Sequence, residues 1–272
     1  MDVGGKVCLV TGGASGIGRA LSEAFADAGA KGVVVADING EGAETVAAGI
    51  RAKGGAALAV SGDVSVQTDV DGFVAAAETE FGPVDVFCAN AGILVPGGCE
   101  VPDSDWERMW KVNVHSHVCA VRSVLPSMLA RGEGYLVHTA SAAGLLTQLG
   151  SAPYSVTKHA VVALAEWLSI TYHDEGLRVS CLCPQGVWTG MTGAATRDSS
   201  VVADATAGRD GMLEPEDVAA VVLDAIREET FLILPHPEVA SYEQRRAGDR
   251  ERWLRGMRRV QSQINALSAN EA

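Results

Sequence analysis

Tyr154 and Lys158 stand four residues apart in Tyr154-Ser155-Val156-Thr157-Lys158, at the start of a stretch patterned as a helix. Residues at that spacing share a helix face, so phenol and ammonium are neighbours one turn apart. A phenol ordinarily titrates near pH 10, too high for a general base at neutral pH. A cation within about 4 to 6 Å favours the phenolate, and lowering its pKa by ~3 units represents roughly 4 kcal/mol of differential stabilisation. The chemistry expected of the pair is proton exchange between Tyr154 and a substrate hydroxyl. Read alone, the spacing also fits an exposed helical couple, so the decision falls to the other motifs.

The second constellation is Thr11-Gly12-Gly13-Ala14-Ser15-Gly16-Ile17-Gly18, set between an apolar strand pattern and a helical one. Glycines at that place let the backbone approach a pyrophosphate, and the helix N-terminus offers free amides and the positive end of its dipole. Asp37 closes the next strand pattern 19 residues after Gly18, with Ile38 beside it. A carboxylate there accepts hydrogen bonds from the ribose hydroxyls of NAD and repels the 2'-phosphate of NADP. Ser15 presents no cation to that phosphate either. The expected cofactor is NAD, whose oxidised nicotinamide adds a positive charge to that of Lys158. The alternative for Asp37 is a turn residue ahead of Asn39-Gly40.

These residues need a scaffold that brings positions 11–18, 37 and 154–158 together. Short apolar runs at 6–10, 32–36, 56–61, 84–90, 134–140, 178–184 and 231–234 read as strands, with helical patterns near 16–29, 41–53, 66–81, 104–131, 153–175 and 214–229. In the first helix Ile17, Ala20, Leu21, Ala24 and Phe25 fall on one face. Ser104 with Glu107 suggests a capping box for the third of the following helices. The alternation predicts a doubly wound α/β fold, a seven-stranded parallel sheet with helices on both faces. The weakly patterned stretch 189–212 reads as a loop or lid over a substrate mouth that includes Thr147, Gln148 and Leu149. Beyond the last strand, Trp253, Met257, Val260, Ile264 and Leu267 form one apolar stripe on a helix. The expected organisation is one catalytic domain at 1–235 and a helical extension at 236–272.

Composition removes several function classes. With 47% hydrophobic and 20% charged residues among 272, the chain is globular rather than disordered. A net charge of -13 repels nucleic-acid backbones, so no nucleic-acid partner is expected. No apolar run approaches the roughly 18 residues of a membrane span. Residues 1–6 show neither a basic n-region nor a cleavage site, which argues for a cytoplasmic protein. Cys8, Cys88, Cys99, Cys119, Cys181 and Cys183 contain no C-x-x-C spacing and read as reduced thiols without a metal. His115, His117 and His138 read as core or surface histidines, not ligands.

Taken in order, TGGASGIG, Asn90-Ala91-Gly92, Ser141 thirteen residues before Tyr154, and YSVTK resemble the short-chain dehydrogenase/reductase family over about residues 3–235. The resemblance implies a Rossmann fold, NAD as cofactor, a small-molecule alcohol or ketone as substrate, and a homo-oligomer, tetramer or dimer. It assigns Tyr154 as the acid/base, Lys158 to the nicotinamide ribose and the tyrosine pKa, Ser141 to the substrate oxygen, and Asn113 to a proton-relay water. Asp63-Val64 resembles the pair that touches the adenine, and Asn90-Ala91-Gly92 the turn lining the cofactor. Pro184-Gln185-Gly186-Val187-Trp188-Thr189 matches the pattern P-G-x-V-x-T through Pro184, Val187 and Thr189, but Gln185 replaces its glycine. Gln185 then either joins Ser141, Gln148 and Tyr154 at the substrate or points outward from a relaxed turn. The arginine-rich extension also departs from the family; packing on the domain or a partner, closing the substrate site and meeting an anionic surface are its readings. Alternative functions are epimerase or dehydratase chemistry, a non-catalytic NAD-binding regulator, and a scaffold assembled through the 253–267 stripe.

Overall fold

The computed structural model describes residues 1–192 and 210–271. Seven parallel strands form one sheet: β1 (Val7–Thr11), β2 (Gly32–Asp37), β3 (Ala57–Ser61), β4 (Val86–Ala89), β5 (Gly134–Thr139), β6 (Leu177–Leu182) and β7 (Leu232–Ile233). Their order is β3-β2-β1-β4-β5-β6-β7, which is the doubly wound arrangement expected from the alternating pattern. The connections are α1 (Gly16–Asp27), α2 (Gly40–Ala52), α3 (Gln67–Glu80), α4 (Asp103–Trp110), α5 (Ser116–Arg131), α6 (Ala143–Leu146), α7 (Ala152–Tyr172) and α8 (Pro215–Glu228). Two further helices, α9 (Glu238–Gly248) and α10 (Arg250–Glu271), follow β7.

Every residue of β1 is buried because both faces of a central parallel strand are covered. Leu9 and Val34 pack with Phe73 of α3, Val124 of α5 and Val161 of α7. On the other face, Val10 and Val35 pack with Leu21 and Phe25 of α1, Val46 of α2 and Val222 of α8. The alternation of adjacent strand residues between two clusters is the period-two geometry of a strand, read through its neighbours.

The strand order reverses between β1 and β4, which leaves a crevice outside the carboxyl ends of these strands. The glycine-rich turn, Asp37 at the end of β2, Ser141 after β5 and the start of α7 all line the cleft at that end. Two sequence expectations need correction. The capping box does not form: α4 begins at Asp103 with Pro102 as its cap, and Ser104 lies inside the first turn. Nor is 104–131 one regular helix. Residues Lys111–His115 make a π-helical turn between α4 and α5, and Asn113 lies within it. Such insertions re-aim side chains and recur at functional sites. The loop expected at 189–212 lies mostly outside the described residues, as does the side chain of Leu267 in the terminal stripe.

Candidate active site

The crevice is the mouth of a cleft of about 2140 Å3, well above the usual volume of a small-ligand site, with room for a dinucleotide and a substrate. One end is built by the turn after β1. Gly12 holds φ +67, where a side chain is strained, and a Cβ on Gly18 would stand 2.0 Å from the Gly12 carbonyl oxygen. These two positions admit only glycine, which brings bare backbone to the N-terminus of α1. Ser15 is the N-cap of α1 in extended backbone and makes no side-chain capping bond. Gly16 and Ile17 line the cleft beside it.

Asp37 ends β2 at the rim of the same cleft. Its Oδ2 accepts from the Ala14 amide at 3.0 Å and its Oδ1 from the Asn39 amide at 2.9 Å, so the carboxylate also ties the glycine-rich turn to the start of α2. Ile38 beside it is 74% exposed, an apolar surface at the cleft edge. Asp63 and Val64 lie at the end of β3; Asp63 Oδ1 accepts from the Ser65 amide at 2.8 Å. Asn90 is a structural knot as well as a lining residue. Its amide nitrogen donates to the Thr11 carbonyl at 3.1 Å, and its Oδ1 accepts from Thr139 at 3.1 Å, which fastens the ends of β1, β4 and β5 together. Ala91 and Gly92 continue the wall, and Val187 and Thr189 close it from the segment after β6. The bare turn, the free face of Ser15 and the carboxylate at the end of β2 fit NAD.

The other end carries Ser141, Tyr154 and Lys158. Ser151 caps α7 by accepting from the Tyr154 amide at 3.2 Å, and it donates to the Val95 carbonyl at 2.6 Å. This cap sets the first turn of α7, and Tyr154 with it, against the loop that follows β4. The sequence reading passed over Ser151, although a serine three residues ahead of the tyrosine is an N-cap signal. Ser141 Oγ accepts from the Ala143 amide at 3.1 Å and donates to the Pro184 carbonyl at 3.3 Å. Lys158 Nζ donates to the Thr139 carbonyl at 2.8 Å and stands 5.6 Å from the centroid of the Tyr154 ring.

Burial pushes Tyr154 up to about 12, and its hydrogen bond with Ser141 offsets part of that rise. Burial also pushes Lys158 down to about 8. Desolvation thus dominates both groups in the protein alone, and the lowering expected of the tyrosine calls on the positive nicotinamide together with Lys158. Asn113 is buried in the π-helical turn between α4 and α5. Its Oδ1 accepts from the Ile93 amide at 2.8 Å, while its Nδ2 donates to the Ile93 carbonyl at 2.9 Å and to Thr157 Oγ1 at 3.3 Å. The side chain pins the loop after β4 to α7, and its amide is committed to protein partners. It remains close to the chemistry, because a Cβ on Gly92 would stand 3.4 Å from Asn113 Oδ1 and 3.5 Å from Lys158 Nζ.

Gln148 and Gln185 both line the cleft. Ser155 Oγ accepts from the Gln148 amide at 2.9 Å and donates to its carbonyl at 3.1 Å, and Thr147 before it holds φ 72, a strained value for a β-branched residue. The Oε1 of Gln185 is buried without a partner among the described residues, so the outward-pointing reading is set aside. The Gln185 amide donates to His236 Nδ1 at 3.2 Å, which joins the turn after β6 to the end of β7. Of the readings given for the extension, closing the site matches the wall made by α9 and α10, which lines the cleft from Tyr242 to Ile264. His117 and His138 are core residues, with their Nδ1 atoms 2.9 Å apart.

Residues 6–200 match the sequence profile of a family described as short chain dehydrogenase. The chain is 38% identical over 237 residues to 1-deoxy-11-beta-hydroxypentalenate dehydrogenase of Streptomyces exfoliatus, covering 86% of this chain and 84% of that protein. It is 36% identical over 225 residues to 3beta-hydroxysteroid dehydrogenase 2 of Eggerthella lenta, covering 79% of this chain and 85% of the relative. A crystal structure of a short chain dehydrogenase/reductase from Burkholderia phymatum in complex with NAD superposes with a TM-score of 0.84 at 33% identity, over 92% of this chain and 96% of that one. Profile, relatives and superposed fold agree, and the chain belongs to the short-chain dehydrogenase/reductase family.

Proposed function

We propose that Tyr154 is the general acid/base of an alcohol dehydrogenase whose substrate lies between Ser141, Gln148 and Gln185. As a member of its family the protein is an NAD-dependent oxidoreductase that interconverts a secondary alcohol and a ketone. The observation that carries the residue assignment is the meeting, in one cleft, of the glycine-rich turn with the buried trio Ser141, Tyr154 and Lys158. NAD, when bound, supplies a hydride acceptor and a positive charge. Tyr154 Oη takes the hydroxyl proton, and Ser141 Oγ holds the oxygen from which it leaves. Lys158, anchored on the Thr139 carbonyl, keeps a cation near the tyrosine, and Asn113 acts as a positioning residue for the loop and helix that carry the site.

The relatives' names point to ring-bearing alcohols, a hydroxysteroid among them, and the apolar lining Leu146, Leu149, Met257 and Ile264 suits such a body. The protein reads further as a cytoplasmic homo-oligomer, in which residues 1–235 carry the chemistry and 236–272 complete the cleft. Absorbance of NADH tests the assignment, with NAD or NADP and a panel of aliphatic, aryl and polycyclic secondary alcohols. Turnover is expected with NAD and not NADP, and Tyr154→Phe should lose about 10²- to 10⁴-fold in kcat while still binding NAD. A Tyr154→Phe variant as active as the parent would remove the phenol from the mechanism.

A further inference from the structure

The wall formed by α9 and α10 lies beyond residues 6–200, the part that the family profile matches, and its charge is unlike the rest of the chain. Residues 236–272 carry seven Arg against five acids, whereas residues 1–235 carry 14 basic against 29 acidic side chains. Two rows of α10 reach the cleft. Met257, Val260 and Ile264 form an apolar row, and Ile264 is 5% exposed. Arg252 and Arg259 lie on the adjoining row, two turns or ~10.5 Å apart. Gly256 stands between them, where a Cβ would meet nothing within 4 Å. No backbone contact requires glycine at that helical position, and its missing side chain leaves open space on the row that carries the two arginines.

Both arginines are exposed to solvent at the cleft. Among the described residues neither Arg252 nor Arg259 forms an ion pair, whereas Arg108 at the cleft rim is paired with Asp105 at 3.1 Å. Besides Asp37 and Asp63 at the other end, two acids line the cleft. Asp249 is engaged by the backbone amide of Arg252 at 2.9 Å, at the start of α10, and Glu107 belongs to α4. Arg245 of α9 lies over the Tyr242 ring, 5.7 Å from its centroid, and adds a third cation to the lining. The cofactor's phosphates already have the glycine-rich turn and the N-terminus of α1. The substrate end is the nearer one along the chain, since α9 packs on α6, which begins two residues after Ser141, and α10 packs in turn on α9.

A guanidinium is a rigid fork of donors that matches a carboxylate, and an apolar row beside it suits a hydrocarbon body. We propose that Arg252 and Arg259 read a carboxylate on the substrate. The substrate class is then an apolar hydroxy acid, or the matching oxo acid, with its carboxylate remote from the reacting carbon. The inference rests on the reading of the site as an alcohol dehydrogenase, and its test does not depend on turnover. In the presence of saturating NADH, 1-adamantanecarboxylate and its uncharged analogue 1-adamantanecarboxamide are titrated calorimetrically into the protein at low ionic strength. The acid is expected to bind about tenfold tighter than the amide. In the double variant R252Q/R259Q the ratio should fall to about twofold or less, with NADH affinity and the circular dichroism spectrum unchanged. Equal binding of the two compounds by the parent, including no heat from either, overturns the proposal. A ratio that survives in the variant does so as well. A matching loss of NADH affinity would assign the arginines to the cofactor and overturn it too. Turnover of alcohols is scored separately: a protein that prefers the acid yet oxidises no alcohol keeps the arginine site and loses the dehydrogenase reading.

Discussion

At the scale of single residues, two side chains show how burial and charge compete in the cleft. Lys158 is 2% exposed, and burial holds it at about 8 against an ordinary 10.5. Below pH 8 both the folded and the unfolded chain carry this charge, and the folded state bears its full desolvation cost. Between about pH 8 and 10.5 the unfolded chain binds more protons at this position, so its contribution to stability rises with pH. Urea unfolding of the parent and of Lys158→Met at pH 7 and pH 9 should show the parent gaining on the variant by about 1 kcal/mol. A constant difference would mean that the lysine titrates normally. Asp37 presents the opposite situation, a carboxylate at the rim held by two backbone amides. Asp37→Ala removes both the ribose acceptor and the repulsion of a 2'-phosphate, so the ratio of kcat/KM with NAD to that with NADP should fall by about tenfold or more. An unchanged ratio would place cofactor choice elsewhere in the cleft.

At the scale of elements, α10 is held against the cleft by its apolar row, and Ile264 is its most buried described member. Ile264→Asp puts a charge where none can be paired and should lift the helix from the wall. The expected result is a KM for apolar alcohols raised about tenfold, with NAD affinity within about twofold of the parent. A KM that does not move would make α10 a bystander. The sequence exposed this helix through the spacing of Trp253, Met257, Val260 and Ile264, but a stripe says only that something covers it. What it covers depends on the direction in which the chain leaves β7, and that is set by tertiary packing. The same limit explains the third long helix. The apolar pattern across 104–131 is continuous, yet the π turn at Lys111–His115 follows from Asn113 bonding to Ile93 and Thr157, both distant in sequence. By contrast the seven strands and the glycine-rich turn could be read directly, because apolar runs and local backbone demands are written in consecutive residues.

At the scale of the whole molecule, the described surface carries an aligned apolar face that the cleft does not use. Val156, Trp167 and Ile170 on α7 are 49%, 54% and 83% exposed. They lie 11 and 14 residues apart, three and four turns of helix, and so fall on one face. The opposite face of α7 packs Val161, Ala165 and Leu168 into the core, and its first two turns bear Tyr154 and Lys158. A partner held on the outer face would thus steady the helix that presents the acid/base. Large side chains aligned on one face in this way mark association surfaces more often than isolated exposed residues do. The homo-oligomer implied by family resemblance then has a physical seat at α7. Sedimentation velocity should give the parent a mass of two or more chains. Trp167→Glu with Ile170→Glu should lower that mass, because paired carboxylates on both copies repel across an isologous contact. If the dissociated variant keeps its NAD affinity but loses kcat, assembly supports the geometry of Tyr154; if kcat is retained, each chain holds its site unaided. A single-chain mass for the parent would remove this face from the account of assembly altogether.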